Sequence, residues 1–351
     1  MTIDRRGFLA AAAASATAAL APRTAQADAI FAPAPGGWRS FEVTTRVELL
    51  MPDGASQAWV PLAGFEAEYE ATHPAVDLRI EGHGSIQAIR QVTDLDRPVD
   101  VVAVADASLI PDLMAGRTAS FTTFGTTEMV IAYTNASRYA GEISESNWAD
   151  VLARPDVRVG IANPMLDAAG YRAMLLLLLA EREGSAPVFG PVLGDHLSPP
   201  LAPTPNGSGL ELRLPEVVRP AAGGKVAIRD GSVFLLSLLE AGGIDYAFEY
   251  RSVAEARGLP YVRLPPSVNL GPAGPVGAYS NATVHLGFQR FSAIGTERGG
   301  LPIVYAVTVP ASAPHPEEAR EFADALVRVA GEGRTGWPEP LPPATVALGA
   351  C

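Results

Sequence analysis

Val99-Asp100-Val101-Val102-Ala103-Val104-Ala105-Asp106-Ala107-Ser108-Leu109-Ile110-Pro111-Asp112-Leu113-Met114 decides the fold class. Its first six residues are almost continuously apolar over the length of a strand, the pattern of a strand covered on both faces. Its last six read as a short helix, so strand passes at once into helix. The same alternation extends outward. Upstream, 41–49 and 76–80 have strand composition, while 65–72 reads as a helix and 86–95 carries Ile86, Ile89, Val92 and Leu95 at helical spacing. Downstream, strand-like runs at 129–133, 157–161, 226–228, 244–248, 261–264 and 303–309 alternate with helical runs at 148–152, 170–183, 233–240 and 316–330. Such alternation predicts an α/β architecture with mostly parallel sheets. One stretch breaks it. Residues 186–224 hold eight prolines and read as a long irregular insertion with one strand at 210–214.

Composition narrows the function. The 351 residues suggest about two domains or lobes, and 48% hydrophobic against 18% charged residues is the balance of a folded chain. A net charge of −12 disfavours DNA, RNA and anionic lipid, because phosphate contacts need clustered Lys and Arg. The single cysteine, Cys351, excludes an intramolecular disulfide and a cysteine metal cluster, and argues against a Cys-His nucleophile. The five histidines are scattered without the i, i+4 spacing of a helical zinc site. There is no G-x-G-x-x-G and no G-x-S-x-G, and Gly223-Gly224-Lys225 lacks the spacing of a P-loop. No enzyme and no cofactor are expected.

The opening residues read as an address. Arg5-Arg6 precede Gly7-Phe8-Leu9, an apolar run reaches Ala21, and Ala25-Gln26-Ala27 is a small-residue cleavage signal. This resembles a twin-arginine export signal over 1–27, which predicts a periplasmic protein. The alternative, a membrane anchor, meets an apolar run shorter than the roughly 20 residues a spanning helix needs.

Three stretches set polar groups at strand ends or helix starts, the edge where open α/β sheets bind ligands. Gly84-Ser85 sits at a strand-to-helix junction, where a tight turn, a hydroxyl and unpaired amides make an anion site. In Asn163-Pro164-Met165-Leu166-Asp167-Ala168-Ala169-Gly170-Tyr171-Arg172, the Asp167 carboxyl falls just before a helix. For both, the ordinary alternative is a plain N-cap. In Tyr246-Ala247-Phe248-Glu249-Tyr250-Arg251-Ser252, Tyr250 ends a strand and can donate its hydroxyl into a cleft. The alternatives there are a half-buried aromatic and a solvated Glu249–Arg251 pair.

Taken together, these residues resemble the archaeal-type molybdate/tungstate-binding proteins of ABC importers. The likeness is carried by His73-Pro74-Ala75-Val76-Asp77, Gly84-Ser85, the Asp100-to-Pro111 run and Glu128-Met129-Val130-Ile131-Ala132-Tyr133-Thr134. It continues through Asn147-Trp148, Leu152-Ala153-Arg154-Pro155-Asp156-Val157, Asn163-Pro164, Leu166-Asp167, Gly170-Tyr171-Arg172 and Leu238-Leu239-Glu240. It ends with the Tyr246-to-Val253 block and Pro302-Ile303-Val304-Tyr305, all in family order over about 65–330. The resemblance implies the two-lobed type II periplasmic binding-protein fold with two crossing strands as its hinge. Lobe one would be 28–127 plus 310–351, and lobe two 128–309, with crossings at 128–134 and 302–309. It also implies an oxyanion held between the lobes, delivery to an ABC permease in the membrane, and a monomer.

The matching anion contacts are Ser85 with Gly84, Asp167 with the backbone of Leu166 and Ala168, and Tyr250. Asp167 would also be the residue able to bind the metal centre of the oxyanion. Two departures stand out. The family's coordinating glutamate falls in Arg229-Asp230-Gly231-Ser232, at Ser232, and the family's first Gly-Ser is replaced near Asp53-Gly54-Ala55-Ser56-Gln57, where Ser56 is the substitute. A serine in place of the carboxylate implies a less octahedral site, with Asp230 as an alternative ligand. Residues 38–62 look more like the β-segment that opens some transglutaminase-like proteins. Two alternatives to oxyanion import remain: the same fold with a changed ligand, and a sensory or interaction protein.

Overall fold

The Val101–Val104 run is a strand whose four side chains are all fully buried, as an unbroken apolar run requires. The computed structural model describes residues 45–52, 60–184, 186–275, 277–287 and 297–348, with side chains from Leu62 onward. All of these belong to one unit that begins at Val43. In chain order the elements begin β1 (Thr45–Pro52), α1 (Val60–Thr72), β2 (Val76–His83), α2 (Ser85–Thr93), β3 (Val101–Val104), α3 (Leu109–Leu113), β4 (Ser120–Thr127) and β5 (Met129–Tyr133). Next come α4 (Trp148–Ala153), β6 (Val159–Ala162), α5 (Ala168–Glu183), α6 (Phe189–Val192), β7 (Thr204–Asn206), β8 (Gly209–Arg213) and β9 (Val226–Arg229). The chain continues through α7 (Ser232–Glu240), β10 (Tyr246–Tyr250), α8 (Arg251–Ala256), β11 (Tyr261–Arg263), β12 (Ala282–His285) and β13 (Glu297–Gly299). It closes with β14 (Ile303–Thr308), α9 (Pro316–Ala330) and β15 (Glu339–Ala347).

Two sheets carry the architecture. The first runs β15-β4-β14-β3-β1-β2 and the second β11-β5-β10-β6-β9. Both are mixed rather than mostly parallel. β1 pairs in parallel with β2 and β3, and β6 with β9 and β10, because helices carry the chain back between those strands. The pairs β14–β3, β14–β4, β15–β4, β5–β10 and β5–β11 are antiparallel. β1 is thus an ordinary strand of the first sheet, whatever its likeness to other openings.

The chain passes between the sheets at Glu128, the one residue separating β4 from β5. Its carboxylate accepts from Arg263 at 2.7 Å and Asn269 at 2.7 Å and pairs with Arg251 at 3.3 Å, so the junction is electrostatically closed. The expected second crossing, 302–309, is corrected. β14 pairs along its length with β4 and β3, from Ile303 opposite Thr127 to Thr308 opposite Val102, and lies wholly within the first sheet.

The 186–224 insertion is more ordered than its prolines suggest. It holds α6, β7 and β8, and β8 pairs in parallel with β12 in a third sheet, β13-β12-β8-β7. α5 packs against strands of both the second and the third sheet, so Ala168 to Leu179 is buried all round. Each fully buried leucine of the Leu175–Leu179 run stabilises by about 1.5–3 kcal/mol. None of the described helices is long and apolar enough to cross a membrane.

Candidate functional site

Four strand-to-helix turns of the two sheets face one another, each bringing one expected residue to a helix start. Ser85 opens α2 directly after β2, Asp167 caps α5 after β6, Ser232 opens α7 after β9, and Tyr250 precedes α8 at the end of β10. The first turns of these helices present backbone N–H groups and the positive end of the helix dipole.

On the first-sheet side, the buried Ser85 Oγ accepts a hydrogen bond from the Ala105 amide at 3.0 Å. That bond occupies a lone pair and leaves the hydroxyl proton to donate. Gly84 lies against the opposite half. A Cβ added there would sit 2.4 Å from the Leu166 carbonyl oxygen and 2.8 Å from Asp167 Cα. The Gln87 amide donates to the same carbonyl at 3.0 Å.

Across from it, Asp167 is buried. Its Oδ1 accepts from the Ala169 amide at 2.9 Å, the usual N-cap bond. Its Oδ2 is buried without a protein partner, and so is Ser232 Oγ. Burial pushes the Asp167 carboxyl from its ordinary 3.8 up to about 6, against the pull of the Ala169 amide, Arg172 and the Ser232 amide. Two buried polar oxygens without a hydrogen-bond partner in one corner cost free energy.

Tyr250 Oη accepts from Arg172 Nη1 at 2.8 Å, and burial drives the phenol far above its usual range, so it keeps its proton to donate. Arg172 is the residue sequence reasoning left without a role. It is buried, donates to the Ala105 carbonyl at 2.7 Å and lies 3.4 Å from Asp106. Burial opposes its charge, but Tyr250, Asp106 and Tyr171 outweigh it and hold the guanidinium protonated. Asp106 also accepts from Ser108 and from the Tyr171 hydroxyl. A signal was present in the sequence: an arginine near the N-terminal end of an apolar helix opposes the helix dipole, so it needs a nearby anion.

Ser85, Asp167 and Tyr250 are therefore linked through Gly84, Ala105 and Arg172, and Ser232 through its amide, which acts on the Asp167 carboxyl. Ala168, the first residue of α5, is fully buried beside them. Leu166 has both backbone groups engaged within the protein, its amide with Asn163 and its carbonyl with Gln87. Asp230, the alternative ligand, is exposed and accepts from the Asn163 side-chain amide at 3.0 Å, away from the buried corner. Ser56 lies outside the described residues. Glu249 and Arg251 are no solvated pair: Glu249 is fully buried and accepts from the Tyr250 amide, while Arg251 bonds Glu339 and Glu128. Among the described residues no cluster of His, Cys, Asp and Glu could hold a metal ion.

Two α/β halves, joined at Glu128 and facing each other with helix starts, define a two-lobed binding protein of the type II periplasmic fold. The chain is similar in structure to a periplasmic thiamin binding protein, with a TM-score of 0.52 over 89% of this chain and 87% of that one, at 14% identity. It belongs to the bacterial extracellular solute-binding protein family, whose sequence pattern matches residues 56–333. It is a binding protein, not an enzyme. Among its relatives are a solute-binding protein of Methanoculleus marisnigri, 36% identical over 80% of this chain and 79% of that one. The molybdate/tungstate-binding protein WtpA of Pyrococcus abyssi is 35% identical over 78% of each chain, and that of Thermococcus kodakarensis 33% over 78% of this chain and 76% of that one.

Proposed function

We propose that the protein captures a tetrahedral oxyanion of the molybdate or tungstate kind between its lobes and hands it to an ABC-type permease. The observation that carries the reading is the pair of buried, unpartnered oxygens, Asp167 Oδ2 and Ser232 Oγ, beside two hydroxyls already committed to donate, those of Ser85 and Tyr250. A carboxyl and three hydroxyls among helix starts suit a compact anion that accepts hydrogen bonds on every side. A dianion placed there pushes the Asp167 carboxyl further up, and the protonated carboxyl becomes a donor as well. At about 1.5–3 kcal/mol for each charge-assisted bond, four or five converging bonds support micromolar or tighter affinity.

Ser232 in place of a carboxylate sharpens the chemistry. A hydroxyl adds a donor and removes a metal ligand, which favours the four-coordinate oxyanion over one expanded toward six ligands. Asp167 would touch the metal centre only if it gave up its proton and the anion expanded its coordination, the state that Ser232 disfavours. Closure about the Glu128 junction desolvates the anion and forms the surface that a permease recognises. Export by the twin-arginine route is read from Arg5-Arg6 and the family to which the chain belongs, and the monomeric state from the resemblance alone. A changed ligand in the same cleft is the second reading, favoured by Ser232.

Calorimetry with molybdate, tungstate, sulfate and phosphate decides between them. Saturable heat with molybdate or tungstate, weakened about 100-fold in Asp167→Ala, is expected. No heat and no thermal shift with any of the four would overturn oxyanion transport.

A further inference from the structure

Two consecutive side chains at the start of α5 reach across to the other half of the molecule. Tyr171 and Arg172 ride on a helix packed against the second sheet, yet their polar atoms end on Ala105 and Asp106, which follow β3 of the first. Both are almost completely buried. These bonds can exist only while the halves are together. Arg172 does two further things. By donating to Tyr250 Oη it leaves that hydroxyl's proton free to donate, and by holding the Ala105 carbonyl it steadies the residue whose amide fixes Ser85.

We infer that Arg172, with Tyr171, is an interlobe clasp: a positioning residue whose bonds to Ala105 and Asp106 form on closure and preset the Ser85 and Tyr250 hydroxyls as donors. Part of this rests on the oxyanion reading above; the clasp itself does not. The charge of Arg172 is spent on Asp106, so it contributes little long-range attraction. Its effect falls on how long the closed state lasts rather than on how fast the anion arrives.

The test uses the full chain with Cys351→Ser and spin labels on Leu95→Cys and Phe234→Cys, two exposed positions, one in each half. Inter-label distances are measured without ligand and with molybdate, and molybdate release is followed by stopped flow. Arg172→Gln is expected to lose the short-distance population and to release molybdate about tenfold faster or more, with association changed less than about threefold. Tyr171→Phe removes a single hydroxyl and moves both readouts the same way by about two- to fivefold. Arg172→Lys keeps the charge but cannot serve Ala105 and Tyr250 together, and falls between wild type and Arg172→Gln. Unchanged distances in Arg172→Gln and Tyr171→Phe overturn the clasp, whether or not molybdate binds. A wild-type protein that binds no oxyanion overturns the ligand reading instead, and the distances still decide the clasp.

Discussion

Two aspartates, each delivered by a fully buried four-residue strand, meet opposite fates. Asp106, after β3, is surrounded: Ser108 donates to one oxygen, Tyr171 to the other, and Arg172 lies alongside. Burial alone would raise its carboxyl, but Arg172, Tyr171, Ser108 and Arg298 more than reverse that and hold it below the ordinary range. Asp167, after β6, has one oxygen on the Ala169 amide and the other without a full hydrogen bond, the Ser232 amide pulling on the carboxyl only weakly, and burial wins, lifting it to about 6. A saturated buried carboxylate is scaffolding. An undersupplied one, in the facing half, is where the proposed anion would find its place.

The contrast can be broken first at its saturated end. Asp106→Ala leaves the buried Arg172 guanidinium without its anion, and because that pair exists only while the halves are together, a loss of about 3–5 kcal/mol is expected in urea-induced unfolding of the molybdate-bound protein and a smaller one without ligand. A loss near zero would mean the corner is not closed as described.

The undersupplied end should respond with the reverse sign. Because the folded Asp167 carboxyl titrates near 6 rather than 3.8, its contribution is fully present below about pH 4 and is lost as pH rises through 6. Asp167→Asn keeps an acceptor for the Ala169 amide and cannot ionise. Ligand-free Asp167→Asn should therefore be more stable than wild type above pH 6, by something on the order of 2–3 kcal/mol, and equal to it near pH 4. Equal stability at pH 8 would remove the argument that this carboxyl is held for a ligand.

The smallest effect sharpens the comparison on its ligand side. Ser232→Glu brings a second carboxylate to the same corner, and the preference for molybdate over sulfate should rise about tenfold by calorimetric competition. A shift toward sulfate would mean that Ser232 does not face the anion.

Much of this was legible beforehand, for a physical reason. Val101–Val104 and the helix at 316–330 announce themselves because burial on both faces, or on one stripe, forces an unmistakable pattern. Ser85 and Asp167 could be picked out because helix starts have their own chemistry, and Tyr250 because it ends a strand, whereas Ser232 came only from the family resemblance. β4 stayed hidden, since Ser120-Phe121-Thr122-Thr123-Phe124-Gly125-Thr126-Thr127 has hydroxyls where alternation wants hydrocarbon. β15 was hidden by Pro340, Pro342 and Pro343, tolerated because it is the outermost strand of its sheet and its register shifts there. The third sheet pairs β8 with β12 across some 70 residues, a distance no local pattern reports. Arg172 was visible as a charge on the wrong end of a helix, but its partners lie in the other half of the molecule.

Gly84 has a consequence for any replacement made there. Its missing side chain lets backbone rest on backbone at Leu166 and Asp167, so even one added methyl group would have to push the two apart. The Gln87 amide bond to the Leu166 carbonyl, which stitches the same seam, would be strained with it.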